Sequence, residues 1–338
     1  MTTFMTNSAA WLGMCGLLAL VTAAPAPAQN AKSWVANDGA DGNPCTLALP
    51  CATFQRAHNQ TNPGGEIGVL TPGDYGGATT PRLAISKSIH ITNDGTGEAS
   101  ILAPATAVGI SISAANGDIV SLRGLVIDGQ GTGSQGIAFF RGSALHVQNC
   151  VIRNFLGVLS VNFGIEFVPS GVSSQLFVSD TIVFNNGSNA GTGGILVQPQ
   201  DFGGQPGVAN VVLDRVRLEN NVEGLSIVGS FTTGTGAHVV LRDSIMSGNV
   251  GNGIRALTTA GHAPAFALVE RVSTINNAQS GIRADGAGAT ILLKESTITR
   301  NGTGVTTVNS GQLISYGSNT NNNNLGAEGV ATGFFSAF

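Results

Sequence analysis

Val239-Val-Leu-Arg-Asp-Ser-Ile-Met-Ser-Gly-Asn-Val-Gly-Asn-Gly-Ile254 carries the pattern on which the fold turns. It reads apolar-x-apolar-x-polar-small-x-apolar, then Asn, then Gly-Ile. The first half recurs at Leu145-His-Val-Gln-Asn-Cys150, Leu176-Phe-Val-Ser-Asp-Thr181, Val211-Val-Leu-Asp-Arg-Val216, Ala267-Leu-Val-Glu-Arg-Val272 and Ile291-Leu-Leu-Lys-Glu-Ser296. Each copy is followed by a second short apolar run, opening at Gly164-Ile165, Gly194-Ile195, Gly224-Leu225, Gly253-Ile254, Gly281-Ile282 and Gly304-Val305. Equivalent positions Val147, Val178, Leu213, Leu241, Val269 and Leu293 are 31, 35, 28, 28 and 24 residues apart, so each unit is one coil with loops of varying size. Alternation with period two says β-strand, and no segment between repeats offers a helical stripe, which excludes a βαβ sheet.

Identical strands repeated in one direction must stack in parallel, about 4.8 Å apart, with matching side chains in columns. Val147 and its equivalents make one inward column. Ile152, Val183, Leu218, Met246, Thr274 and Ile298 make a second, and Ile165 with its equivalents a third. Asn186, Asn221, Asn249, Asn277 and Asn301 form a turn column, in which Asn is expected to take left-handed backbone geometry and to hydrogen-bond the next rung. The fold class is therefore all-β, a single right-handed parallel β-helix (a solenoid).

The rest of the 338 residues agrees with one repetitive domain. Charged residues are 10% of the chain and glycine fills 48 positions, a turn-rich all-β composition. A net charge of −4 with no Lys/Arg cluster excludes nucleic acid as a partner. Ala9 to Ala24 is an apolar run of signal-peptide length, and Ala26-Pro27-Ala28 fits cleavage before Gln29, although no basic residue precedes Lys32. Residues 1–28 are accordingly expected to be a signal peptide and the remainder to be secreted or periplasmic. No later run reaches a membrane-spanning length of about 18 apolar residues, so no transmembrane segment is expected. In an oxidising compartment Cys45 and Cys51 pair most simply with each other, and Cys150 reads as a buried free thiol. No metal site or cofactor is predicted.

An open end of a parallel stack exposes edges and apolar side chains, so the start of the chain needs a lid. Thr53-Phe-Gln-Arg-Ala-His58 is a candidate capping helix, followed by the strand Gly64-Gly-Glu-Ile-Gly-Val-Leu-Thr-Pro-Gly-Asp-Tyr75. This opening and the rungs Ile85–Ile91, Val120–Ile127 and Leu313–Asn319 resemble the pectin-lyase-like superfamily, and within it a bacterial exported family of right-handed β-helix repeat proteins. The resemblance covers nearly all of residues 33 to 325. The expected division is an N-terminal cap with disulfide clasp at 29–75, the β-helix at 76–325, and a C-terminal cap or tail at 326–338.

Two columns alternate in sign down the stack, Asp214, Arg242, Glu270, Lys294 and Asp180, Arg215, Asp243, Arg271, Glu295. Opposite charges at rung spacing attract, so both read as structural ladders that hold register. The outward position two after each Gly carries Ala138, Glu166, Leu196, Ser226, Arg255, Arg283 and Thr306. The resemblance implies that this face holds the substrate cleft. Arg255 and Arg283 are successive like charges, unfavourable unless Asp285 or an anionic ligand relieves them, and the three are the candidate ligand-binding residues. Enzyme signatures of the superfamily are missing: clustered Asp with His and Arg, an Asp-Pro-His-Glu string, and a calcium-binding acidic cluster. Asp128-Gly-Gln-Gly131 is a weak turn string, and the five histidines share no spacing. Glu166 is a catalytic candidate only if a second carboxylate lies nearby, and the adjacent rungs offer Leu196 and Ala138. The expected function is binding of an extended, acidic polysaccharide or surface glycan without turnover. The alternative is a polysaccharide lyase or glycoside hydrolase acting in the cleft beside the Gly-Ile strands. A cleft bringing three or more ionisable groups together would favour the enzyme.

Overall fold

The computed structural model describes residues 1–2, 29–158 and 161–335, so the expected signal peptide lies, from residue 3 on, outside the described residues. One coil shows how the repeat becomes structure. Val208–Asp214 lies in a first sheet, A; Arg217–Glu219 lies in a second, B; Glu223–Val228 lies in a third, C. A loop then returns the chain to Gly236–Arg242, which pairs in parallel with Val208–Asp214. Repetition builds, among the described residues, parallel sheets of twelve, ten and nine strands, coiled as a right-handed parallel β-helix. The three expected inward columns are in register and buried: Val147 through Leu293 in sheet A, Ile152 through Ile298 in sheet B, Ile165 through Val305 in sheet C.

Sharp bends separate the sheets, and each is made by one left-handed residue. Between A and B these are Asp180, Arg215, Asp243, Arg271 and Glu295, with φ of 51°, 51°, 49°, 52° and 50°. The second charge column thus sits on a corner. Between B and C they are Asn185, Asn220 and Asn276 among others, with φ of 56°, 53° and 57°. This corrects the reading of the Asn ladder, because the left-handed residue is the one before each ladder Asn. The outward residue turns the corner where its side chain is free. The ladder Asn that follows points inward and bonds its neighbours.

The ladder is buried and continuous. Asn221 N donates to Asn249 Oδ1 at 3.0 Å, Asn249 N to Asn277 Oδ1 at 3.2 Å and Asn277 N to Asn301 Oδ1 at 3.1 Å. Asn249 Nδ2 also donates to Leu218 O at 3.2 Å and Asn277 Oδ1 at 2.8 Å. The glycine that opens each sheet C strand is explained here: a Cβ at Gly253 would lie 2.7 Å from Gly281 O and 2.9 Å from Asn277 Nδ2, so any side chain would push the rungs apart.

The cap contains the expected helix, Phe54–Gln60, with Thr53 as N-cap accepting from Arg56 N at 3.1 Å. Phe54 packs on Tyr75 at a ring separation of 5.2 Å, sealing the first coil. Cys45 and Cys51 are bonded. Strands Asn30–Val35 and Thr61–Val69, inside the segment 29–75, are the first two of sheet A. Cys150 is buried, and burial pushes its thiol up to about 11, consistent with a packing role. Among the described residues no helix is long and apolar enough to cross a membrane.

Candidate functional site

Side chains alternate along sheet C, so one set of positions faces out on every rung. The outward column Ala138, Glu166, Leu196, Ser226, Arg255, Arg283, Thr306 is in register throughout. Leu196 of this column joins Phe163, Val168 and Val228 in an apolar cluster buried on the outside of the solenoid, with Phe140 and Leu257 packed against it. Loops at both ends of the strands rise over these residues. They leave a cleft of about 260 Å³ lined by Glu166, Leu196, Ser226, Arg255, Leu257 and Phe231 among others. Phe231 is more than half exposed, giving the cleft an aromatic wall open to water.

Arg255 and Arg283 lie side by side on adjacent strands. Asp285, nearly buried, relieves their repulsion. Its Oδ2 accepts from Arg283 Nη2 at 2.9 Å and lies 3.6 Å from Arg255 Nη2, while its Oδ1 accepts from Asn309 Nδ2 at 2.8 Å. Burial by itself would raise the Asp285 carboxyl, but the bonds from Asn309 and Arg283 and the charges of both arginines hold it below the usual carboxylate range. Glu223 joins the same cluster and was not singled out from the sequence. It is buried, accepts from Asn252 N at 3.0 Å and from Asn252 Nδ2 at 3.1 Å, and feels the charges of Arg255 and Arg283. Burial dominates and raises its carboxyl. A signal existed, since Glu223 immediately precedes a repeat Gly, but nothing in the string says that loops bury it.

Glu166 stands apart from that cluster. It is buried at the other end of the cleft, between Ala138 and Leu196 as the sequence implied, and accepts a hydrogen bond from Gln135 Nε2. Burial pushes its carboxyl up to about 7 against that bond. The cleft itself is lined by Glu166 and Arg255; Glu223, Arg283 and Asp285 adjoin it behind Arg255. No group of three or more His, Cys, Asp or Glu side chains suited to a metal ion occurs among the described residues.

The alternating columns lie elsewhere, on sheet A and its corner. Arg215 Nε and Nη2 donate to both oxygens of Asp180 at 2.7 and 3.0 Å, and Arg271 grips Asp243 at 2.7 and 2.9 Å. Lys294 Nζ reaches Glu270 at 2.9 Å, and Arg242 lies 3.9 Å from Asp214. Neither column contributes to the cleft.

No protein-family model matches the chain, and no curated protein matches it in sequence. Among solved structures, pectate lyase Pel9A superposes with a TM-score of 0.65 at 18% identity, covering 90% of this chain and 78% of that one. An alginate lyase from Paenibacillus sp. str. FPU-7 gives a TM-score of 0.49 at 16% identity, covering 84% and 96%. At such identities likeness speaks to architecture, and the first of the two carries it. The chain has the right-handed parallel β-helix fold of that pectate lyase structure.

Proposed function

We propose that the outer face of sheet C binds an extended acidic polysaccharide, with Arg255 as its principal anchor. The observation that carries this reading is the stacked pair of guanidinium groups. Asp285 takes one contact from each, through Nη2, and both arginine side chains stay part-exposed, at 26% and 31%, so each fork keeps its other Nη donors for a ligand. Carboxylates or sulfates spaced along a sugar chain match such donors bidentately. The exposed Phe231 offers a face on which a sugar ring can stack. A fold shared with a protein named a pectate lyase supports the choice of ligand class, and the Cys45–Cys51 bond fits a secreted protein.

Replacing both arginines would strand the buried carboxylates of Asp285 and Glu223, so the double variant is expected to lose thermal stability. Arg255, with the looser contact and a place in the cleft wall, is the informative position. Arg255→Gln should weaken binding to polygalacturonate or a sulfated glycan at least about tenfold and flatten its salt dependence. Equal binding by wild type and variant, or preference of the wild type for a neutral glucan, overturns the reading.

A second reading, turnover, is favoured by Glu166 alone. A carboxyl that titrates near neutrality in the wall of a cleft is suited to exchanging a proton with a bound sugar. New reducing ends or unsaturated products from a bound glycan, lost in Glu166→Gln, would establish it; intact glycan after long incubation would exclude it.

A further inference from the structure

Sheet A has an outer face as ordered as its inner one. Phe177, Val212, Val240, Leu268, Leu292 and Ile314 stack in register on six successive strands. All six are half-buried, because each covers its neighbours' flanks and leaves only its outer end to water. The stripe is about 24 Å long at rung spacing. Before Phe177 the same column turns polar, through His146, Ser121 and His90. Five of these six strands, from Ser173–Ser179 to Ala289–Lys294, pass straight to the left-handed corner residue. A continuous apolar stripe on an open sheet face is a surface that a partner covers.

The charges beside the stripe say which partner. Two residues along the same strands runs the column Asp214, Arg242, Glu270, Lys294, and at the corner runs Arg215, Asp243, Arg271, Glu295. Over these four rungs, with Asp180 outside the match, both columns reverse sign about one point, the gap between strands Gly236–Arg242 and Ala265–Glu270, and the apolar stripe is centred on that same gap. A surface antisymmetric in charge and symmetric in shape about a line is complementary to its own copy rotated about that line.

We propose that sheet A pairs face to face with a second copy of this chain, the solenoids antiparallel and the two-fold axis running along the strands through that gap. Val240 then packs against Leu268 of the partner subunit, and Val212 against Leu292 of the partner subunit. Arg242 meets Glu270 of the partner subunit, Asp214 meets Lys294 of the partner subunit, and Asp243 meets Arg271 of the partner subunit. A slip of one rung would set Arg242 against Lys294 of the partner subunit and Glu270 against itself, so charge specifies the register while apolar burial drives association. Sheets pack this way about 10 Å apart. The expected dissociation constant is in the micromolar range. The pairing leaves sheet C free and goes beyond the glycan-binding reading.

Sedimentation equilibrium of the full chain tests it. The wild type should be a dimer at micromolar concentration. Val240→Asp/Leu268→Asp, which sets acid against acid across the axis, should raise the dissociation constant at least about 100-fold with unchanged circular dichroism. Should that variant fail to fold, Val240→Thr/Leu268→Thr keeps strand-compatible side chains and should weaken the dimer likewise. Val240→Lys/Leu268→Asp should restore it, because unlike charges then face each other; solenoids aligned parallel would instead set Lys against Lys. A monomeric wild type, a double-Asp variant that remains dimeric, or a Lys/Asp variant that stays monomeric overturns the proposal.

Discussion

Glu166 shows how much one residue's behaviour depends on what covers it. Its column position was readable from the repeat, but its carboxyl titrates near 7 only because loops and the apolar cluster exclude water from it. The folded-state value lies above the ordinary 4.5, so the folded protein holds this proton more tightly than the unfolded chain. The stability contributed by the neutral form is complete below pH 4.5 and is lost as pH rises through about 7. A shift of that size costs the folded state about 3 kcal/mol once the carboxyl is ionised. Glu166→Gln removes the titration and should therefore be more stable than wild type at pH 8 and equal to it near pH 4. Denaturant midpoints measured at both pH values check this. A difference between the proteins that does not change with pH would show that burial does not control this carboxyl.

At the scale of the element, the Asn ladder and the corners are the parts that periodicity reveals best and explains least. The recurrence of Asn186, Asn221, Asn249, Asn277 and Asn301 was plain in the string. Which residue of each Asn-containing corner takes positive φ was not, because a string does not say which of two neighbours faces out. Asn249→Leu would leave Asn221 N and Leu218 O buried without their partner and break the link to Asn277. The expected loss is about 2–4 kcal/mol from unmade buried hydrogen bonds. Asn62→Leu, at an exposed position of strand Thr61–Val69, should change little. Thermal unfolding of the two variants side by side decides the matter, since equal losses would mean that the column is not a ladder.

For the molecule as a whole, the ends of the solenoid decide whether the stack stays single. Strand Asn30–Val35 is the first edge of sheet A, and the clasp covers it: Trp34 N donates to Cys45 O at 2.8 Å, Cys51 N to Trp34 O at 2.9 Å and Ala36 N to Cys51 O at 3.0 Å. Closing this short loop contributes about 2 kcal/mol in the chain-entropy view. In a stack where each rung touches only its neighbours, losing it should fray that end alone. Cys45→Ser/Cys51→Ser should speed hydrogen exchange at Trp34 and Ala36 while Leu213 stays protected; unchanged exchange at the edge would show that the clasp does not guard it. The repeat string by itself determined the β-helix, its three inward columns and the alternating charge ladders, because each is a local period read once per coil. Only the tertiary structure decided the buried states of Glu166 and Glu223, the way Asp285 ties Arg255 to Arg283, and the matching centres of stripe and charge on sheet A. Those depend on loops of unequal length folding over the rungs and on residues from different coils meeting in space, and no periodicity in the chain encodes such a meeting.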